Sequence, residues 1–273
     1  MCLIAVGWKA HPQLALAIVA NRDEYHARPS APAAPWTEAP HIVGGRDLRE
    51  GGGWLALDAA RGRLAAVTNF RTAHPPQAAR SRGHLVRDFL LADAGAGDYA
   101  ERLSAQADAY RPFNLLLWDG RELVRLTNRP VATWTRLMPG LHAVANGPFD
   151  RDEAKSRRVT GALRDWLLHY DARREAVIDP LLAALADERP AADGELPADG
   201  MGAELERFLS PPFIRDARYG TRASSVVLVE TSGRALFFER RFGPDGVAAG
   251  DTRLILHLPC AAPAASLAPG VPA

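Results

Sequence analysis

The apolar positions of this chain fall in short runs, not in long amphipathic stripes. CLIAVGW (2–8), LALAIVA (14–20), WLALD (54–58) and RLAAVTNF (63–70) each have the length of a strand, with polar segments between them. LALDAARGRLAAV reads as a hairpin turning at Arg61-Gly62. FNLLLWDGRELVRLT reads as a second, turning at Asp119-Gly120, residues that tolerate positive φ. LHAVAN (141–146) is a further strand ending at a loop. Late in the chain SSVVLVETSGRALFFERRF predicts a third hairpin about Ser232-Gly233, and TRLILHL (252–258) a closing strand.

Helical spacing appears between these groups. It predicts helices over 83–93, 98–107, 152–170 and 173–187; in the third, Val159, Leu163, Trp166 and Leu167 share one stripe. Strands first, helices in the middle and strands last is not the βαβ alternation of a parallel sheet. The order predicts an α+β fold in which antiparallel sheets carry helices on their outer faces. The segment 188–200, ERPAADGELPADG, has the composition of a linker, but the strands after it read as completing the earlier sheets. One domain over 1–258 is therefore expected, followed by a low-complexity tail over 259–273 expected to be disordered.

Composition narrows the function classes. Of 273 residues, 47% are apolar and 24% charged, which is ordinary for a soluble globular protein. A net charge of +1 argues against a nucleic-acid grip built on phosphate neutralisation. Lysine occurs only as Lys9 and Lys155 while arginine and alanine abound, the bias of a GC-rich bacterial genome. No run approaches ~20 apolar residues, so no membrane span is expected, and no basic segment followed by an apolar one suggests a signal peptide. Cys2 and Cys260 stand far apart, without metal-type or disulfide spacing; a cytoplasmic location with both thiols free and no metal is expected.

The position of Cys2 suggests chemistry. A single strand cysteine is by default a small buried hydrophobe. Removal of Met1, however, would give Cys2 a free α-amine, whose reference pKa of ~7.7–8.0 suits a base near neutral pH. Nucleophile and base would then share one residue, and no separate histidine is needed. Asn21-Arg22-Asp23-Glu24 follows the second strand, where it reads either as a solvated turn or as a site. A hairpin about Lys9–Gln13 would return it beside Cys2. There Arg22 would favour the thiolate, and Asp23 or Glu24 would hold the amine. Asn69, Asn146 and Arg222 stand at further strand–loop junctions, as turn or surface residues singly, or together as donors to a developing oxyanion. GGRDLREGGGW (44–54) leads into a strand and lacks a P-loop Lys-Ser/Thr, so it reads as a loop at a pocket rim and not as a nucleotide cradle.

MCLIAV, ANRDEYHARP, GGRDLREGGGWLAL, VTNFR, VANGPFD and YGTRASSVVLV, in this order, closely resemble the NRDE family, also called the transport-and-Golgi-organisation protein 2 (TANGO2) family. The resemblance runs from Met1 to about His257. That family is similar in turn to N-terminal-nucleophile (Ntn) hydrolases of the penicillin V acylase and bile salt hydrolase type, which implies a four-layer αββα sandwich. The resemblance casts Cys2 as nucleophile, Arg22 as the cysteine-adjacent arginine, Asn146 and Asn69 as oxyanion donors, and Arg222 as the late arginine. The acylases place an aspartate three residues beyond the arginine, but here that position is Tyr25. Asp23 or Glu24 would fill the carboxylate role, or the role is absent.

Three functions follow. The first is an amidohydrolase or acyltransferase with a small-molecule amide or acyl substrate. The second, implied by the family's association with haem trafficking and with lipid or acyl-CoA homeostasis, is a non-catalytic carrier of haem or an acyl or other apolar ligand. No resident cofactor is expected in either case, and no Cys-Pro or Cys-x-x-Cys-His haem motif occurs. The third is a degenerate fold serving as an interaction module.

Overall fold

The computed structural model describes residues 2–72 and 80–259. In chain order it holds β1 (Cys2–His11), β2 (Leu14–Tyr25), β3 (Ser30–Trp36), β4 (Ala39–Asp47), β5 (Leu55–Asp58) and β6 (Arg63–Asn69). Helices α1 (Gly83–Leu91) and α2 (Ala96–Ser104) precede β7 (Phe113–Trp118), β8 (Leu123–Thr127), β9 (Thr133–Arg136) and β10 (Gly140–Val144). Then come α3 (Ala154–Leu167), α4 (Asp179–Leu185) and α5 (Ala203–Phe208), followed by β11 (Tyr219–Glu230), β12 (Arg234–Phe242) and β13 (Ala248–His257).

The strands form two antiparallel sheets, a six-stranded one ordered β10-β1-β2-β11-β12-β13 and a seven-stranded one ordered β3 to β9 in sequence. This is the layered α+β arrangement expected from the element order. The strands after 188–200 do complete the first sheet, where β11 pairs along the whole of β2.

The continuous apolar runs have a plain cause: the six-stranded sheet is covered on both faces. Ile4, Val6, Trp8, Leu16 and Ile18 enter the core shared with the seven-stranded sheet. Leu3, Ala5, Ala17 and Val19 face α3 and α4, meeting Val159, Leu163, Leu181 and Leu185. With both faces buried, alternation is replaced by an unbroken run. The seven-stranded sheet carries α1 and α2, whose Leu85, Phe89, Ala100 and Leu103 are buried. No described helix is long and apolar enough to cross a membrane.

The three hairpins turn at the expected residues, with Gly62, Gly120 and Gly233 all at positive φ. Other elements depart from expectation. The helix expected over 173–187 is shortened to α4, because Pro180 fits only the first turn of a helix and so sets its start. β3 escapes the pattern because Pro32 and Pro35 lie in it. It is an edge strand, where a missing N–H is tolerated. β9 is a short, mostly exposed edge, and α5 is too short to show a period. The segment 188–200 is not a free linker: Asp199 pairs with Arg151 at 2.6 Å and Arg71 at 3.2 Å. Glu206 also accepts the Ala198 N–H at 2.8 Å. The tail expected over 259–273 lies, from Cys260 onward, outside the described residues.

One buried amide ties the sheet to its helical layer. Asn21 Nδ2 donates to the carbonyls of Leu185 and Pro212, both at 2.8 Å, and Oδ1 accepts from Ser224 Oγ at 2.6 Å. Asn21→Ala would leave these groups buried and unpaired, each costing about 1–3 kcal/mol. A loss of about 2–4 kcal/mol in urea unfolding is expected; a change under about 1 kcal/mol would show that the bonds do not hold this layer in place.

Candidate active site

Hairpin pairing of β1 and β2 puts Cys2 opposite Arg22, and Arg22 in turn lies opposite Ala223 on β11. Residues paired across strands share a face. Cys2 and Arg22 therefore point between the two sheets, at the end where the sheets part around a cavity of about 450 Å³. Cys2, Arg22, Asp23, Glu24, Asn69 and Arg222 all line it. The Gly-rich loop supplies part of the rim, including Asp47, Arg49, Glu50 and Gly53.

The four residues of the motif divide by strand alternation. Asn21 turns to the helical side and Arg22 and Glu24 to the cavity side, while Asp23 borders the cavity and also faces Lys155 on the helical side. Asp23 is buried and accepts Thr221 Oγ1 at 2.7 Å, and its backbone N–H donates to the Cys2 thiol. Glu24 is occupied elsewhere: it accepts the Tyr25 N–H at 2.9 Å and lies 3.8 Å from Arg28. Asp23 is the carboxylate that faces the thiol electrostatically, while Tyr25, at the acylase spacing, is 63% exposed.

The remaining sequence candidates have different settings. Asn69 ends β6 on the cavity wall. Asn146 does not line the cavity; it is buried behind the wall, with Nδ2 donating to the Asn69 carbonyl at 2.9 Å and its own carbonyl accepting the Arg71 N–H at 2.6 Å. Arg222 occupies a bulge in β11. Its guanidinium donates to the carbonyls of Tyr25, His26 and Arg28 at 3.0, 3.3 and 3.0 Å, and to Ser30 Oγ at 3.1 Å. It clamps the turn that follows the motif.

The lining also holds residues that the sequence does not point to. Arg82, beside the start of α1, faces Cys2 electrostatically. Glu239 on β12 is buried and accepts the Ala33 N–H at 2.7 Å; burial pushes its carboxyl up. Behind the wall, Lys155 is buried near Asp23 and Cys2. No local pattern marks these three, since each comes from an element distant in sequence and RDEAKSRR reads as a solvated helix start.

Charge dominates the cavity. Among the described residues, nine arginines and five carboxylates line it. Arg28 pairs with Asp47 and Arg46 with Glu38, both at 2.5 Å. Among the described residues, Arg22, Arg49, Arg80, Arg82, Arg111, Arg222 and Arg241 have no carboxylate within 4.0 Å. No cluster of metal-ligating side chains occurs among the described residues.

A sequence profile of the family described as Transport and Golgi organisation 2 matches residues 1–244. The chain belongs to that family. A Bos taurus protein named Transport and Golgi organization protein 2 homolog is 30% identical over 259 residues, covering 88% of this chain and 92% of its own. The Homo sapiens homolog of the same name is 28% identical over 272 residues, with 93% and 97% covered. The Drosophila melanogaster Transport and Golgi organization protein 2 is 28% identical over 267 residues, with 88% and 91% covered. In this member of the family, then, the NRDE tetrapeptide is a strand end and not a solvated turn.

Burial pushes the Cys2 thiol above its ordinary value, with the Asp23 carboxylate adding to the rise and the Asp23 N–H and Arg22 opposing it. The folded protein should therefore form thiolate at higher pH than the unfolded chain. Iodoacetamide labelling of Cys2, mapped by peptide, is expected to show a higher pH midpoint in buffer than in urea. An equal or lower midpoint would mean that the arginines outweigh burial.

Proposed function

We propose that the protein is an N-terminal-cysteine amidohydrolase or acyltransferase acting on an anionic acyl or amide substrate. The observation that carries this reading is Cys2 on the wall of an arginine-lined cavity, with Arg22 opposite it and the Asp23 backbone N–H donating to its sulfur. The layering of helices outside paired antiparallel sheets is also the arrangement known for Ntn hydrolases.

In the proposed sequence, aminopeptidase removal of Met1 frees the Cys2 α-amine. A thiol raised by burial is a poor nucleophile until a base takes its proton, and that amine is the base at hand. The Cys2 sulfur attacks the carbonyl carbon as its proton passes to the amine. The carbonyl π pair moves to oxygen, where Asn69 and the nearby arginines offer donors. Collapse expels the leaving amine, which takes the proton back from the ammonium and leaves a thioester on Cys2. Water, deprotonated by the same amine, attacks the thioester; the carboxylate leaves and the thiol is restored. An acceptor amine in place of water gives acyl transfer. Asp23 holds the ammonium during these steps, and Arg22 offsets the charge on sulfur.

The cationic wall bears on substrate choice. Exposed Arg49, Arg80 and Arg111 at the mouth and the half-buried Arg22, Arg82 and Arg241 within form a graded positive field that draws anions inward. The carrier reading uses the same arginines, for haem carboxylates or an acyl ligand's head group. A haem ring or acyl chain, however, needs an extended apolar wall, and arginines and carboxylates predominate here over Trp54, Val67 and Phe242. Among the described residues no histidine lines the cavity.

Two measurements test the reading. Mass spectrometry of the natively expressed protein should show Cys2 as the first residue; retention of Met1 throughout would sink the mechanism. Paired acyl p-nitroanilides differing only in a terminal carboxylate on the acyl chain should differ about tenfold or more in kcat/KM, some 1.4 kcal/mol. The preference should shrink in 0.5 M salt and in Arg49→Gln/Arg111→Gln, and Cys2→Ala should abolish turnover. A preference for the neutral member would remove the anionic-substrate claim.

A further inference from the structure

Lys155 stands in the first turn of α3 and is only 2% exposed. Its Nζ lies 3.3 Å from the Leu209 carbonyl and 3.5 Å from Asn146 Oδ1. Among the described residues no carboxylate comes within 4.0 Å of it. A buried ammonium held only by neutral acceptors is costly, and a methionine would fill the same space without that cost. Packing alone does not account for it.

The groups around it suggest what it does. Glu153 precedes α3, Arg71 follows β6, Asp23 is on β2 and Cys2 on β1; all four face Lys155 electrostatically. Cys2 itself is faced by Asp23, Arg22 and Arg82. Asn146, gripped through Oδ1 by Lys155, holds the Asn69 carbonyl through Nδ2. One cation therefore touches the chain of contacts that fixes Asn69 on the wall, and also opposes the negative charge of Asp23 and of a Cys2 thiolate.

We infer that Lys155 is a positioning residue of the Cys2 centre, orienting Asn146 and Asn69 and supplying positive charge from the helical side of the β1–β2 ladder. Arg22 and Arg82 supply charge from the cavity side, so the thiol is flanked by cations on both faces of the sheet. Burial pushes Lys155 down and Asp23 up, against their charged forms; the attraction between the two, and that of Glu153 for Lys155, opposes burial and favours the charged pair. The inference rests on the reading of Cys2 as the nucleophile.

The test is the pH profile of Cys2 labelling by iodoacetamide, mapped by peptide, in wild type, Lys155→Met and Lys155→Arg, with melting curves to establish folding. In Lys155→Met the midpoint should rise by about one unit, lowering labelling at pH 7 about tenfold. Lys155→Arg should stay within about twofold of wild type. If Lys155→Met does not fold, Lys155→Gln, which keeps a donor without the charge, carries the same expectation. A folded neutral variant whose profile superimposes on wild type overturns the inference while leaving the nucleophile reading intact. A wild-type thiol unreactive at every pH removes the nucleophile reading, and this inference falls with it.

Discussion

The two sheets are joined at their cavity end by hydrogen bonds between the ends of β6 and β7 and the loop after β10. Thr68 Oγ1 donates to the Ala145 carbonyl at 2.6 Å and Asn114 Nδ2 to that of Gly147 at 2.8 Å. Asn146 and Asn69, and Arg71 and Asn146, add two more bonds. Apolar packing between sheets is non-directional and tolerates sliding; these bonds do not, because each unmade bond leaves a buried group without a partner. They fix where the sheets converge, and hence where they part. The wall that carries Asn69 is one side of this seam.

Seen from the seam, the asparagines of VTNF and VANG have unequal positions. Both stand at strand ends, as their sequence setting implies, but only Asn69 reaches the cavity, while Asn146 braces it from behind. The NRDE tetrapeptide divides in the same way. Strand alternation sends Asn21 into the helical layer as a tie and places Arg22 beside the thiol. A linear motif of four residues thus serves two layers of the fold.

Much of this was legible because the informative contacts are local. Cys2 and Arg22 are brought together by one hairpin whose strands and turn are both plain in the sequence. The different settings of Asp23 and Glu24 show only in three dimensions, where Arg28 and the Tyr25 N–H occupy Glu24. Arg222 reads as a surface cation or a site residue, and its clamp on the turn depends on a bulge that no residue pattern announces. Lys155, Arg82 and Glu239 were invisible for a related reason: burial of a charge is a property of the elements packed over it, and these come from elsewhere in the chain. β3 was hidden by its prolines, which an edge strand accepts and a central one does not.

The arginines around the cavity also bear on how stably the protein folds. Among the described residues, seven guanidinium groups gather here with no carboxylate within 4.0 Å, and their mutual repulsion, only partly offset by the lining carboxylates, raises the energy of the empty folded state. An anion that enters relieves that repulsion, and whatever binds the folded chain alone shifts the folding equilibrium toward it. If the cavity takes anions as proposed, occupancy and foldedness are coupled quantities: phosphate or sulfate in a buffer would then be a stabiliser and a competitor at once, and melting temperatures measured in different salts would describe different occupancies of one cavity.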